Sequence, residues 1–286
     1  MKQKTYYYHD LIHDDFAAAT IKTNALPDDY KYVDRNPLYL ITSGFLRFIA
    51  ITVISFMLRV HYLLIIKNKK VLKKVKGQGY FLYGNNTDYL LDAVTPSLIS
   101  FPKFADVIVN PDAVSIKGIK HLVKLLGVIP IPTSIKGFIN YKRSITKLIG
   151  YKHVMTLYPE AHIWPYYTDI RPFGTESFHY QAELGSPCFT FTKIYKRRVL
   201  PLIRHPKVVT YVDGPFYPDM TLPKEERIQK LRDEVYQAMK KRVDSNPKYE
   251  YVKYIYSDKK AVTKTKIKTS PNECPQNEKF PDLLKS

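Results

Sequence analysis

Through the middle of the chain, short apolar runs alternate with stretches whose apolar residues recur at helical spacing. Tyr80–Tyr83, Asp106–Val109, Val128–Ile131, Val154–Tyr158, Cys188–Thr192 and Val208–Val212 have the length and composition of buried strands. Between them, Tyr89–Ile99, Ile116–Leu126 and Ile135–Leu148 read as helices. This alternation predicts an α/β fold, a mostly parallel sheet covered by helices. In such sheets ligands gather beyond the carboxyl ends of the strands. Asn85–Asp88, Pro130–Thr133 and Pro159–His162 all fall at or just after predicted strand ends, so the pattern places them on one rim. A further helix is predicted over Leu222–Val243. Pro223 lies near its start, Glu225 and Glu226 in its first turn and Lys240–Arg242 at its end, all favourable to the helix dipole. Ile228, Leu231, Val235, Ala238 and Met239 form its apolar stripe.

The flanks follow different patterns. Residues 1–37 are polar and aromatic and read as an irregular arm; no small-residue cleavage site follows an apolar run, so they do not read as a signal peptide. Residues 38–66 are the most apolar part, but Phe48–Leu58, between Arg47 and Arg59, is shorter than the ~20 residues a spanning helix needs. The leading reading is an interfacial or re-entrant hairpin dipping into one leaflet. A buried amphipathic helix pair and a true span, which would carry two Arg and His61 inside it, compete with it. Lys67–Lys76 is a basic run, suited to anionic lipid at about 1 kcal/mol per basic residue near a charged surface, or to a solvated helix face. The expected division is thus an arm (1–37), a membrane-associating helical segment (38–76), an α/β domain (77–245) and a basic tail (246–286). Within the tail, Lys259–Ser286 is expected to be largely disordered or to act as a second electrostatic tether.

Composition narrows the partners. Forty-five Lys and Arg against 26 Asp and Glu give a formal charge of +19, which favours an anionic partner. No nucleic-acid module accompanies the charge, so acidic lipid head groups are expected and nucleic acid is not. The 24 tyrosines suit a membrane interface, where an apolar ring carries a polar tip, or reflect codon usage alone. Cys188 and Cys274 show neither a metal spacing nor a disulfide framework, which makes a reducing compartment the default. Neither a glycine-rich nucleotide loop nor a zinc pattern is present, so no metal or resident cofactor is expected.

The candidate chemistry lies in two stretches. Tyr80–Pro96 takes an apolar run through Gly84 into Asn85, Asn86 and Thr87, then into a helix that Asp88 is placed to cap. A helix amino terminus of this kind can hold an anion or a reacting hydroxyl, or be simply a capped helix. Val154–Pro165 ends a second apolar run at Pro159 and follows it at once with Glu160. Together these stretches resemble the glycerolipid acyltransferase family, whose first signature is Asn-His with an Asp five positions after the His and whose third is Phe-Pro-Glu-Gly-Thr-Arg. Gly127-Val-Ile-Pro-Ile-Pro-Thr133 resembles the Gly-x-Ile-x-Ile-x-Arg segment between them. The resemblance covers roughly residues 70 to 213.

The resemblance implies acyl transfer from acyl-CoA or acyl carrier protein to a lysophospholipid such as lysophosphatidic acid, at the cytoplasmic face of a membrane, with N-terminal helices docked on lipid. It implies Asp92 and Glu160 as retained site residues. The general-base His is missing: counting back from Asp92 puts Thr87 at its position, and aligning the Asn pair puts Asn86 there. Neither titrates near neutrality. Thr133 replaces the Arg of the second signature, and Ala161, His162 and Ile163 replace Gly-Thr-Arg of the third. His162 stands as a replacement base or as a residue packed on Trp164. Arg171 stands as a replacement phosphate contact, with Lys136, Lys142 and Arg143 as alternatives. The alternative expectation is a catalytically inactive relative that binds lipid or a partner enzyme.

Overall fold

The computed structural model describes residues 3–16, 25–114, 120–199 and 205–258. The expected tail Lys259–Ser286 lies outside them, as do residues 116–119 of the expected helix Ile116–Leu126. A seven-stranded sheet forms the centre, built from β2 (Ile65–Lys67), β3 (Tyr80–Gly84), β4 (Ala105–Val109), β5 (Val128–Pro130), β6 (Val154–Leu157), β7 (Cys188–Lys196) and β8 (Lys207–Phe216). Their spatial order is β2-β8-β7-β3-β6-β4-β5. Every neighbouring pair is parallel except β7–β8, which is antiparallel, so the sheet is mixed.

Helices α2 (Tyr89–Ser100), α3 (Lys120–Leu125), α4 (Ile135–Gly150), α5 (His179–Leu184) and α6 (Lys224–Asp244) complete the domain. Side chains alternate across β3, as strand pleating requires. Phe81 and Tyr83 face Tyr141 and Ile145 of α4 and Leu231 and Val235 of α6. Tyr80 and Leu82 face the opposite layer, with Ile99 of α2 and Val75. The strands are buried on both faces, which is why their sequences read as continuous apolar runs.

Three expectations change at the flanks. The apolar segment is one helix, α1 (Pro37–His61), and not a hairpin. Asn36 caps it through its side chain and Pro37 occupies its first turn, both helix-starting signals. The chain then returns to the sheet as β2, which removes Ile65–Lys67 from any membrane segment. Within the basic run, Lys69–Val75 forms a 3₁₀ helix packed by Val75, with its lysines exposed. The arm expected to be irregular contains β1 (Lys4–Tyr8), which pairs in parallel with β9 (Val252–Tyr256) from the expected tail.

Arg47 carries α1 onto the sheet. Its guanidinium donates to Asp106 Oδ1 at 2.8 Å and to the carbonyl oxygens of Leu125 and Ala105 at 2.9 and 3.2 Å. His153 Nδ1 lies 2.5 Å from the other oxygen of Asp106. Burial alone would raise the pKa of this carboxyl, but Arg47 and His153 together hold it below the usual value. The outward side of α1 is apolar and exposed, with Leu38, Ile41, Phe45, Phe48 and Phe56 all in the open. By length and composition α1 can cross a membrane.

The approach to the central strand is tight. A Cβ on Gly79, just before β3, would lie under 3.0 Å from the carbonyl oxygens of Ile149 and His153. Main chain cannot move aside as a side chain tip can. Gly79→Ala is expected to lower the urea midpoint, with a loss of about 1–3 kcal/mol at unchanged m-value.

Candidate functional site

The polar rim forms where β3 gives out at Gly84. Three successive main-chain amides then point at two carboxylates. The Asn86 N–H donates to Glu160 Oε2 at 3.0 Å. The Thr87 and Asp88 N–H groups donate to Asp92 Oδ2 at 2.9 and 3.1 Å. Asp88 caps α2 through its own side chain, accepting from the Leu90 and Leu91 amides at 3.0 and 2.9 Å. Asp92 lies in the first turn of α2, where the helix dipole favours negative charge. Asp92 and Glu160, 68 positions apart in sequence, therefore meet across a single peptide unit.

Each carboxylate also has a buried cation. Lys193 Nζ contacts Asp92 Oδ1. Arg171 sends its main-chain N–H to Glu160 Oε1 at 2.9 Å and its guanidinium to Glu160 Oε2 at 3.5 Å. The side chains of Lys193, Arg171 and Glu160 are wholly buried and that of Asp92 is 8% exposed. Burial drives the shifts that follow. It raises the Glu160 carboxyl, against the opposing pull of Arg171 and the two amides. It lowers the Lys193 ammonium well below the usual lysine range, against the pull of Asp88. A buried lysine shifted in this direction is the form of lysine that takes up a proton near neutral pH.

The second loop covers the first. Trp164 and Tyr166 donate main-chain N–H groups to the carbonyl oxygens of Asn86 and Thr87 at 3.1 and 3.0 Å. Asn85 clasps β7 through its side chain, which accepts from the Lys193 N–H at 2.9 Å and donates to the Lys193 carbonyl at 3.1 Å. Tyr195 donates its hydroxyl to Thr87 Oγ1 at 2.8 Å. Trp164 is fully buried, stacks on Tyr254 of β9 at 4.9 Å and donates its indole N–H to Asp14 of the N-terminal arm at 2.7 Å. The rim is thus sealed by the β1–β9 pair and the arm. Ala161 and Tyr166 within the covering loop both adopt positive φ, 60° and 61°, a strained conformation for residues with a Cβ.

The residues singled out by sequence divide into two groups. Asn86, Thr87, Asp92, Glu160 and Arg171 come together in this cluster. Asn86 donates its side-chain amide to the Ala161 carbonyl at 2.9 Å. The Arg171 guanidinium is committed inward, to Glu160, to the Leu11 carbonyl at 3.3 Å and to the His162 carbonyl, so it presents no surface to a phosphate. His162 and Thr133 stand outside. The His162 ring lies on the flank of the loop, 3.5 Å from Asp15 of the arm, and not on Trp164. Thr133 follows the edge strand β5, separated from β6 by β4, and accepts a hydrogen bond from the Leu26 N–H at 3.2 Å. Among the described residues no group of side chains has the makings of a metal site.

Lys193 is the residue that sequence reasoning missed. The predicted strand stops at Thr192, whereas β7 runs to Lys196. A lone lysine inside the run Phe189–Tyr195 is the signal, since a cation there has no solvent and demands a buried partner.

Among solved structures, the chain is similar to the 1-acyl-sn-glycerophosphate (LPA) acyltransferase PlsC from Thermotoga maritima, with a TM-score of 0.47 and 13% identity, covering 74% of this chain and 85% of that one. No family model matches the chain, and no curated protein matches it in sequence.

Breaking one half of a buried ion pair strands the other charge. Lys193→Met alone is expected to cost about 3–5 kcal/mol in chemical denaturation. Combined with Asp92→Leu it should cost less than the two single losses added together, and additive losses would show that the two side chains do not interact in solution.

Proposed function

We propose that the protein is a membrane-docked acyltransferase that moves a fatty acyl group from acyl-CoA or acyl carrier protein to a lysophospholipid such as lysophosphatidic acid, with the Lys193–Asp92 pair handling the proton. The observation that carries this reading is the contact of Lys193 with Asp92, at the first-motif position where a general base is needed and no histidine stands. Burial gives this lysine what a base requires, a proton affinity brought down toward neutrality. An ion pair so deeply buried adds little stability compared with apolar side chains of similar size, which favours a chemical role.

The steps balance with these groups alone. Neutral Lys193 takes the proton of the acceptor hydroxyl as its oxygen bonds to the thioester carbonyl carbon. The carbon–sulfur bond then breaks, and the departing thiolate takes the proton back from the lysine ammonium. Asp92 holds the ammonium in place, and its own position is fixed by the amides of Thr87 and Asp88. Entry of substrate requires the Pro159–Tyr167 loop to swing away, and its two positive-φ residues are where such a motion relieves strain. Docking at the cytoplasmic face through the exposed apolar side of α1 and the adjoining lysines brings the rim to an anionic lipid surface.

A second reading has its own observation. Both motif carboxylates are saturated and covered, which suits a scaffold that has lost its chemistry and binds lipid or a partner enzyme.

Transfer of radiolabelled acyl groups to lysophosphatidic acid by the purified chain separates the two. On the first reading the rate climbs with pH, because only the neutral lysine accepts a proton. The climb ends below the usual lysine range, since the pKa is lowered. Lys193→Arg, which keeps the charge but cannot act as a base, is expected to reduce turnover about 10²–10⁴-fold and to abolish the climb. An inert wild type that gains turnover from Asn86→His or Thr87→His would establish the second reading instead.

A further inference from the structure

The loop that covers the motif rim is itself held from outside by the N-terminal arm. Trp164 joins the two layers. Its main-chain N–H bonds inward to the Asn86 carbonyl at 3.1 Å, while its indole N–H donates to the Asp14 carbonyl at 2.7 Å. Its ring is fully buried, with Tyr8 and Phe16 of the arm each at 5.1 Å and Tyr254 of β9 at 4.9 Å. The residue before it is fixed twice. The Ile163 N–H donates to Asp15 Oδ1 at 3.3 Å, and the Ile163 carbonyl accepts from the Phe16 N–H at 3.2 Å. At the far end of the loop, the Arg171 guanidinium donates to the Leu11 carbonyl at 3.3 Å.

The arm has little else to hold it. Among the described residues β1 pairs with β9 alone, in a two-stranded sheet separate from the central one. A ribbon of two strands is marginal by itself, so the arm keeps its place through what it grips. Its grip consists of main-chain bonds, ring contacts and one carboxylate, Asp15, whose side chain is 42% exposed. Contacts at an exposed edge open locally at far lower free energy than a packed sheet does. Beneath them the loop is strained at Ala161 and Tyr166, both at positive φ. A strained loop under a lightly held arm can be let go without unfolding the domain.

We propose that residues 10–16 are an autoinhibitory strap. Fastened, they hold the covering loop on the rim and keep acyl donor and acceptor out. Released, they let the loop lift, so that Lys193 and Asp92 meet substrate. The strap rests on the acyltransferase reading for what the opening admits, and on the arm's own contacts for the opening itself.

Two variants of the full chain test this. Asp15→Ala removes the acceptor of the Ile163 N–H, and Phe16→Ala removes the ring that packs on Trp164. Neither residue belongs to the motif cluster. Each variant is compared with the wild type by hydrogen–deuterium exchange and by acyl transfer to lysophosphatidic acid. The Trp164 and Tyr166 amides, bonded to the Asn86 and Thr87 carbonyls, report the loop, and the amides of β3 and β6 report the domain. Loop exchange is expected to quicken about tenfold in each variant, because one contact that fastens the loop is lost, with exchange in β3 and β6 unchanged. Transfer is expected to rise by about the same factor, since the open state is populated in that proportion. Quicker loop exchange with no transfer by any of the three proteins keeps the strap and removes the acyltransferase reading. Loop exchange at the wild-type rate, or quickened equally in β3 and β6, overturns the strap and leaves the arm as ordinary packing. A looser loop in an active enzyme that transfers no faster overturns it as well.

Discussion

Three consecutive amide groups, those of Asn86, Thr87 and Asp88, organise this molecule. They emerge together at the end of the central strand, where no sheet partner remains for them, and a buried donor must find an acceptor. Two carboxylates from distant parts of the chain meet that demand. Once Glu160 and Asp92 are buried, each in turn needs a positive charge, and Arg171 and Lys193 are drawn in. The covering loop, the aromatic pile on Trp164 and the β1–β9 pair follow, since they close water out of a polar cluster already satisfied from within.

The sequence made some of this legible and hid the rest. Tyr80–Tyr83, Val154–Tyr158 and Cys188–Thr192 are strands in the structure because burial on both faces leaves only apolar residues, a pattern any window detects. Their carboxyl ends could be placed on one rim for the same reason. The direction of β8 was not legible, because an apolar strand has no intrinsic polarity. Nor was the β1–β9 pair, whose partners stand nearly the whole chain apart and whose short aromatic segments look like surface until they meet. The single helix α1 was obscured by Arg47. A charge within an apolar stretch reads as a turn or an end, whereas here it projects inward onto Asp106 while the apolar residues face outward. At the site, Asp92 and Glu160 were identified from their motif positions. Lys193 was not, because its partner is set by sheet register and not by sequence spacing.

The two sheet edges now carry opposite characters. At the carboxyl edge, charges are paired, buried and covered. At the amino edge, Asp106 gathers Arg47 and His153, and Arg35 remains on the wall of an open cavity. Helix α1 contacts both regions. Leu58 near its end packs with Leu91 and Tyr195 beside the rim, while Arg47 and Ser43 line the cavity. A shift of α1 on a lipid surface would therefore be felt at both edges, through packing at one and ion pairing at the other.

The two cations of the rim differ in a way that bears on chemistry. An arginine keeps its charge at any ordinary pH, even where burial pulls its pKa down, as it does for Arg171. Its planar donors suit it to hold Glu160, the Leu11 carbonyl and the His162 carbonyl at once, a clamp that fixes the covering loop. A lysine has one compact head and can lose its proton. On the proposed reading, the arginine on Glu160 supplies a permanent, structural charge and the lysine on Asp92 a removable one. On that reading the capacity of Lys193 to lose a proton offsets the desolvation that burying it beside Asp92 costs.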